Sequence, residues 1–192
     1  MEKKSNPEII LGFVGKLGAG KGEAISYLIK KYDFYSTSLS DRIREEIKRR
    51  GQEITRETLQ KIGGEMRQSL GPSVLAKLTL ENVLVSGAKF AVIDSIRALE
   101  EAQFLKTAPN FHLVAVDADP KIRFQRLVKR ARENDPITWE GFLKTEKRDN
   151  VGDGRNIDAC IALADFKINN RGTQQELYSQ LDKLLKKLDL PT

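Results

Sequence analysis

Residues 12–25 read GFVGKLGAGKGEAI, and the rest of the chain organises around them. The spacing Gly15-x-x-x-x-Gly20-Lys21 matches a phosphate-binding loop. Gly15, Gly18 and Gly20 let the backbone curl so that successive N–H groups point inward at phosphate oxygens, with Ala19 and Gly22 completing the cradle. A helix starting near Lys21 adds its positive N-terminal end, and Lys21 adds a full charge aimed at the β and γ phosphates. After the lysine this pattern normally supplies a hydroxyl; here Gly22 and then Glu23 follow.

The flanks supply the context such a loop needs. Before it, IILGFV (9–14) is a short apolar, β-branched run that reads as a buried strand. Beyond it, Ala24, Leu28 and Ile29 recur at helical spacing to about Lys31. Further strands are expected at 34–38, 90–94, 111–116 and 166–169. Between the second and third lie three expected helices: one from Asp41 with Ile43 and Ile47, one carrying Leu59, Ile62, Met66 and Leu70, and one over 73–85. ALEEAQFLKTA is helical in character, and Asp119–Pro120 announces another helix as cap and first residue. That helix sets Phe124, Leu127, Val128 and Ala131 on one stripe and Arg123, Arg126 and Arg130 on another face. At the end, Leu177, Leu181, Leu184, Leu185 and Leu188 form one amphipathic stripe. Strands alternating with helices predict a three-layer α/β/α domain with a parallel sheet over 1–192, a helical insertion at about 41–86 and a small lid at about 130–150.

Composition narrows the class. The 192 residues carry a net charge of +6, one cysteine and one histidine, so an internal disulfide is excluded and a zinc site is not expected. No apolar run reaches the roughly 18 residues a membrane span needs, and MEKKSNPE lacks the apolar core of a signal peptide. A cytoplasmic protein without membrane contact is expected. The basic runs lack a helix-turn-helix, zinc-knuckle or RNP-like pattern, which argues against nucleic acid as partner. Cys160 and His112 read as core residues and Trp139 as a packing anchor.

GKLGAGKG resembles adenylate kinase and its relatives, which also place glycine directly after the lysine; Glu23 stands where they carry threonine. SDRIRE (40–45) resembles their segment in which an aspartate precedes a phosphate-gripping arginine, implying acceptor contacts at Asp41 and Arg44. VIDSIRAL (92–99) resembles the strand end where an aspartate orients magnesium through water and an arginine holds phosphate: here Asp94 and Arg97, spaced one residue closer. RFQRLVKRAR and EKRDN resemble the two lid arms, implying catalytic roles for Arg126, Arg130 and Arg148, the last paired with Asp149. ALADFKINNRGT resembles the last loop of P-loop kinases, including dephospho-coenzyme A kinase, with Asn169 near the base. The resemblance implies an ATP- and Mg²⁺-dependent kinase that phosphorylates a nucleotide-like acceptor (NMP or dNMP). Two alternatives stay open: transfer to a hydroxyl as in dephospho-coenzyme A, with Asp41 or Asp94 as base, and a nucleotide-binding regulator with little turnover.

Overall fold

The computed structural model describes residues 6–132, 135–150 and 154–190. Five strands form the sheet: β1 (Ile9–Val14), β2 (Tyr35–Ser38), β3 (Phe90–Asp94), β4 (Phe111–Asp117) and β5 (Phe166–Asn169). Their order is β2-β3-β1-β4-β5, with every pair parallel. All six residues of β1 are buried, as befits a central strand covered on both faces.

The two-residue period of the strands sorts the core. Leu11, Phe13, Val92, Val114 and Val116 face α1 (Lys21–Tyr32) and α9 (Gln174–Lys187), whose Leu28, Leu177, Leu181 and Leu185 fill that layer. Ile10, Ala91, Ile93, Leu113 and Ala115 face the other layer. It is built by α2 (Leu39–Arg49), α3 (Arg56–Leu70), α4 (Val74–Ser86), α5 (Leu99–Leu105) and α8 (Ile157–Ala162), joined through Ile47, Ile62, Leu75, Leu105 and Cys160. This is the expected α/β arrangement, a parallel sheet flanked by helices.

Local chemistry explains where the helices begin. The Ser38 hydroxyl accepts from Ser40 N while the Asp41 carboxylate accepts from Ser38 N at 3.0 Å, a reciprocal cap that starts α2 at Leu39, ahead of the expected Asp41. Asp119 caps α6 (Pro120–Arg130) by accepting from Lys121 N, with Pro120 at the first position as expected.

Two details of α6 differ from the sequence reading. Ala131 does not extend the stripe of α6, because the helix ends at Arg130 and Ala131 turns left-handed at φ 49°. Val128 is 45% exposed, whereas Arg123, assigned to the polar face, is 2% exposed. Within the expected lid stands a regular helix, α7 (Trp139–Asn150), whose Phe142 is fully buried; residues 133–134 of that lid lie outside the described residues. Trp139 packs against Phe124 and Phe142 at ring-centroid distances of 5.5 and 5.2 Å. Cys160 is buried, and desolvation pushes its thiol up to about 12. His112 lies half-buried in β4 with its ring edge on Phe166. Among the described residues no helix is long and apolar enough to cross a membrane.

Candidate functional site

Parallel sheets place ligands beyond the C-terminal ends of their strands. Here β1, β3 and β2 end side by side, with Gly12 opposite Ile93 and Ser38 opposite Asp94 in the ladders. The loop after β1 is the glycine loop, the loop after β3 carries Ser95 to Arg97, and α2 follows β2 directly.

Gly20 is the N-cap of α1 with φ 101°, and Gly18 has φ 78°, both in the region that favours glycine. A β-carbon on Gly18 would press on the Arg123 backbone, and one on Gly20 would collide with Asn170 Nδ2. Lys21 folds back over the loop, donating from Nζ to the Gly15 carbonyl at 2.6 Å. Burial lowers its pKa from 10.5 to about 8, partly offset by the charge of Asp94, while Arg97, Arg123 and Arg130 lower it further. A polyphosphate would reverse that balance.

Gly15, Gly18, Ala19, Gly20, Lys21 and Gly22 line one hollow together with Asp94, Arg97, Arg126, Arg130 and Arg132. A second hollow of about 490 Å³ opens beside it. Its floor is apolar, with Leu39, Ile43, Leu59 and Leu75, and its walls carry Arg44, Arg56, Arg67, Arg97 and Arg155. Leu17, Ser95, Arg97 and Asp149 belong to both hollows, so the two are one continuous cleft.

Around the cleft the charges are mostly paired. Asp149, 7% exposed, lies 3.4 Å from Arg56 and 3.6 Å from Arg155. Arg67 meets the fully buried Glu101 at 2.8 Å, and Glu101 also accepts from the N–H groups of Arg97 and Ala98. Arg130 grips Asp135 through two bonds of 2.7 and 2.6 Å, which holds the Asp135 carboxyl below its ordinary range. Arg97 differs: among the described residues its guanidinium makes no direct hydrogen bond or ion pair, and burial lowers its pKa against the opposing pull of Asp149. Asp94 Oδ1 is likewise buried and without a hydrogen-bond partner. A carboxylate oxygen so placed fits a divalent ion held through water. Among the described residues no group of three or more His, Cys, Asp or Glu could hold a metal, so such an ion would draw its remaining ligands from water and phosphate.

The residues singled out in the sequence divide accordingly. Gly15 to Gly22, Asp94, Arg97, Arg126 and Arg130 converge on the loop's hollow, and Arg44 reaches the second. Asp41 turns one oxygen to the Ser38 N–H and the other to Arg44 at 3.0 Å, so it both caps α2 and orients that arginine. Glu23 lies at the rim, but its carboxylate accepts from Tyr178 and Gln174 of α9, and those two bonds hold it below the ordinary glutamate range. The residue still borders the loop's hollow while its carboxylate is tied to α9. Arg148 is exposed on α7 and lines neither hollow, while its neighbour Asp149 does. Asn169 is taken up by Gln180 of α9 on both its N–H and carbonyl. The next residue, Asn170, is the one that meets the loop, donating to the Ala19 carbonyl at 2.8 Å.

Arg56, Arg67, Arg155, Asn170 and Arg123 were not assigned from the sequence. The signal for Arg56 and Arg67 was their separation by eleven residues, close to three helical turns, which sets both on one face of α3. For Asn170 no local pattern separates it from Asn169.

The sheet order, the glycine loop at the end of β1 and the arginine-walled cleft define a P-loop protein of kinase-like fold, an architecture that supports nucleotide binding. A family model described as an AAA domain (AAA_17) matches residues 14–142. The UPF0200 protein TK1334 of Thermococcus kodakarensis is 37% identical over 182 residues, spanning 92% of this chain and 96% of its own. The UPF0200 protein MJ1399 of Methanocaldococcus jannaschii is 31% identical over 182 residues, spanning 94% and 90%. The chain belongs to this AAA-domain family and to the UPF0200 proteins. Among solved structures, TT1252 from Thermus thermophilus superposes with a TM-score of 0.56 at 19% identity, covering 96% of this chain and 99% of the other. Shikimate kinase from Bacteroides thetaiotaomicron gives 0.54 at 18% identity, covering 95% and 99%. At such identities the likeness concerns the fold.

Proposed function

We propose that the chain is an ATP-dependent phosphotransferase of the nucleoside-monophosphate-kinase type, moving the γ-phosphoryl group of ATP to a nucleotide-like acceptor, an NMP or dNMP. The supporting observation is the shared wall: Leu17, Ser95, Arg97 and Asp149 border both the phosphate loop and the arginine-rich hollow. A donor seated on one side thus faces an acceptor seated on the other.

Gly15 to Gly22 and Lys21 hold the donor's phosphates. Arg44 and Arg97 take the acceptor phosphate, and Arg126 and Arg130 lie along the donor. Residues 41–86 serve as the acceptor-binding part, and about 130–150 as the lid. A phosphate oxygen of the acceptor needs no general base, so the protein's work is alignment and charge stabilisation. Asp94 would orient Mg²⁺ through water, and the ion would neutralise charge on the transferring phosphates. Arg97 is suited to the junction because, among the described residues, its guanidinium has no direct hydrogen bond or ion pair to give up.

One observation favours a second reading, transfer to a hydroxyl. Such chemistry needs a carboxylate base, and Asp94 Oδ1 is free to accept a proton whereas both oxygens of Asp41 are engaged. The regulatory alternative takes Glu23, in the place of the usual threonine, as the sign of lost transfer; its carboxylate is held by α9. Incubation with ATP, Mg²⁺ and a panel of NMPs, dNMPs and dephospho-coenzyme A separates the three. Acceptor-dependent ADP with a nucleoside monophosphate supports the first reading, and ADP with dephospho-coenzyme A alone supports the second. Tight ATP binding without acceptor-dependent ADP overturns both.

A further inference from the structure

Two carbonyls of the glycine loop are held by Arg123 and Asn170, buried side chains outside the cleft's lining, and the Ala19 carbonyl also accepts from the cleft-lining Arg126 at 3.4 Å. Arg123, 2% exposed, donates from Nη1 to the Leu17 carbonyl at 3.1 Å and from Nε to the Ala118 carbonyl at 2.9 Å. Its remaining hydrogen-bonding capacity goes to Glu146 of α7, and its guanidinium lies over the Phe142 ring at 5.2 Å. Asn170, 6% exposed, donates from Nδ2 to the Ala19 carbonyl at 2.8 Å, and its own carbonyl accepts from Arg126 at 2.9 Å.

A trans peptide unit is planar, with the C=O of one residue and the N–H of the next pointing in opposite directions. Pulling the Leu17 carbonyl outward therefore turns the Gly18 N–H inward. Pulling the Ala19 carbonyl outward does the same to the Gly20 N–H. Neither N–H is bonded to another group among the described residues. The two glycines have a second purpose here: the space a β-carbon would fill at Gly18 is occupied by Arg123, and at Gly20 by Asn170. Loop and buttress are thus fitted to one another.

We propose that Arg123 and Asn170 are positioning residues that fix the orientation of the Leu17–Gly18 and Ala19–Gly20 peptide planes, and so present two inward N–H donors to a polyphosphate before it arrives. Such prior orientation spares the ligand the cost of ordering the loop. The consequence for phosphate binding rests on the proposed nucleotide site; the orientation of the planes does not. Because Arg123 is also tied to Glu146, the same guanidinium joins the loop to α7.

The test uses Asn170→Asp, which keeps the shape but replaces the donor with an acceptor facing the Ala19 carbonyl. The double variant Arg123→Gln/Glu146→Gln removes the guanidinium without stranding its carboxylate partner. Arg123→Lys retains charge and one donor. In amide NMR spectra of the ligand-free protein, the Gly18 resonance is expected to shift or broaden in the Arg123 double variant and the Gly20 resonance in Asn170→Asp. Unchanged resonances for both, in variants that melt like the wild type, overturn the proposal. Titration with tripolyphosphate and with Mg-ATP is expected to show about tenfold weaker binding for either variant, with partial recovery in Arg123→Lys. In the turnover assay the KM for ATP should rise while the KM for the acceptor holds; a rise in both, or in neither, counts against it. If the wild type binds neither probe, the nucleotide reading falls, while the glycine resonances still decide the orientation of the planes.

Discussion

The two halves of the cleft are built on different principles. On the glycine-loop side, the backbone sets the shape: glycines with positive φ, carbonyls pinned by buried Arg123 and Asn170, and the start of α1. In the second hollow, long side chains do it, and nearly every arginine already has a carboxylate: Arg44 with Asp41, Arg56 and Arg155 with Asp149, Arg67 with Glu101. The first half is a seat formed in advance. The second is a set of ion pairs that a ligand must compete with, which is why its chemistry is adjustable and its ligand harder to name.

The largest effect that would break this contrast is at Lys21. Lys21→Ala is expected to lower acceptor-dependent ADP formation by about 10²- to 10³-fold, as loss of a single preorganised charge-stabilising donor does, while leaving the melting temperature near wild type. A modest loss would mean the backbone amides alone suffice. Next comes the acceptor wall: Arg67→Ala strands the fully buried Glu101 with only two N–H donors, and should destabilise the fold by about 3 kcal/mol in chemical denaturation. Glu101→Gln/Arg67→Met should recover most of it; failure to do so would make the pair more than structural.

A third experiment sharpens the donor side through pH. The Lys21 pKa, lowered to about 8 mainly by burial, lies below the 10.5 of an exposed lysine. Between those values the unfolded chain binds more protons than the folded one, so this group's contribution to stability grows as pH rises from about 8 to 10.5. Nucleotide affinity should move the opposite way, weakening by up to about tenfold per pH unit above 8 as the free ammonium loses its proton. Calorimetric titration at pH 8.5 in buffers of different ionisation heats should register proton uptake on binding of ATP; no uptake would place Lys21 outside the phosphate's field. Smaller still, Arg44→Ala should raise the KM for a nucleoside monophosphate about tenfold with kcat little changed, the value of a partly exposed charge-assisted bond. Unchanged acceptor saturation would remove Arg44 from the site. The smallest effect is expected at Glu23: because its carboxylate serves α9, Glu23→Thr should cost about 1 kcal/mol of stability and leave turnover nearly unaltered.

The same contrast governs what the sequence could tell. Strand and loop positions were readable because they obey local rules: apolar β-branched runs for buried strands, glycine spacing for the cradle, Asp119–Pro120 for a helix start. Asp94 and Arg97 were singled out because a strand end is a fixed address in a parallel sheet. Arg148 was chosen over Asp149 by likeness of pattern, yet on α7 adjacent positions face about 100° apart, and the buried one is the aspartate. The tie of Glu23 to α9 was not legible because its partners, Gln174 and Tyr178, come from a helix about 150 residues onward. Arg123 reads as solvated in any helical-wheel argument, and only the nearness of the Leu17 carbonyl and Glu146 explains its burial.

The adjacency of β2, β3 and β1 has a final consequence. Neighbouring strands in a sheet sit about 4.8 Å apart, and here the glycine loop, the Asp94–Arg97 turn and the start of α2 each issue from one of three consecutive strands. The spacing between the two hollows is therefore gauged by the hydrogen-bond ladder of the sheet.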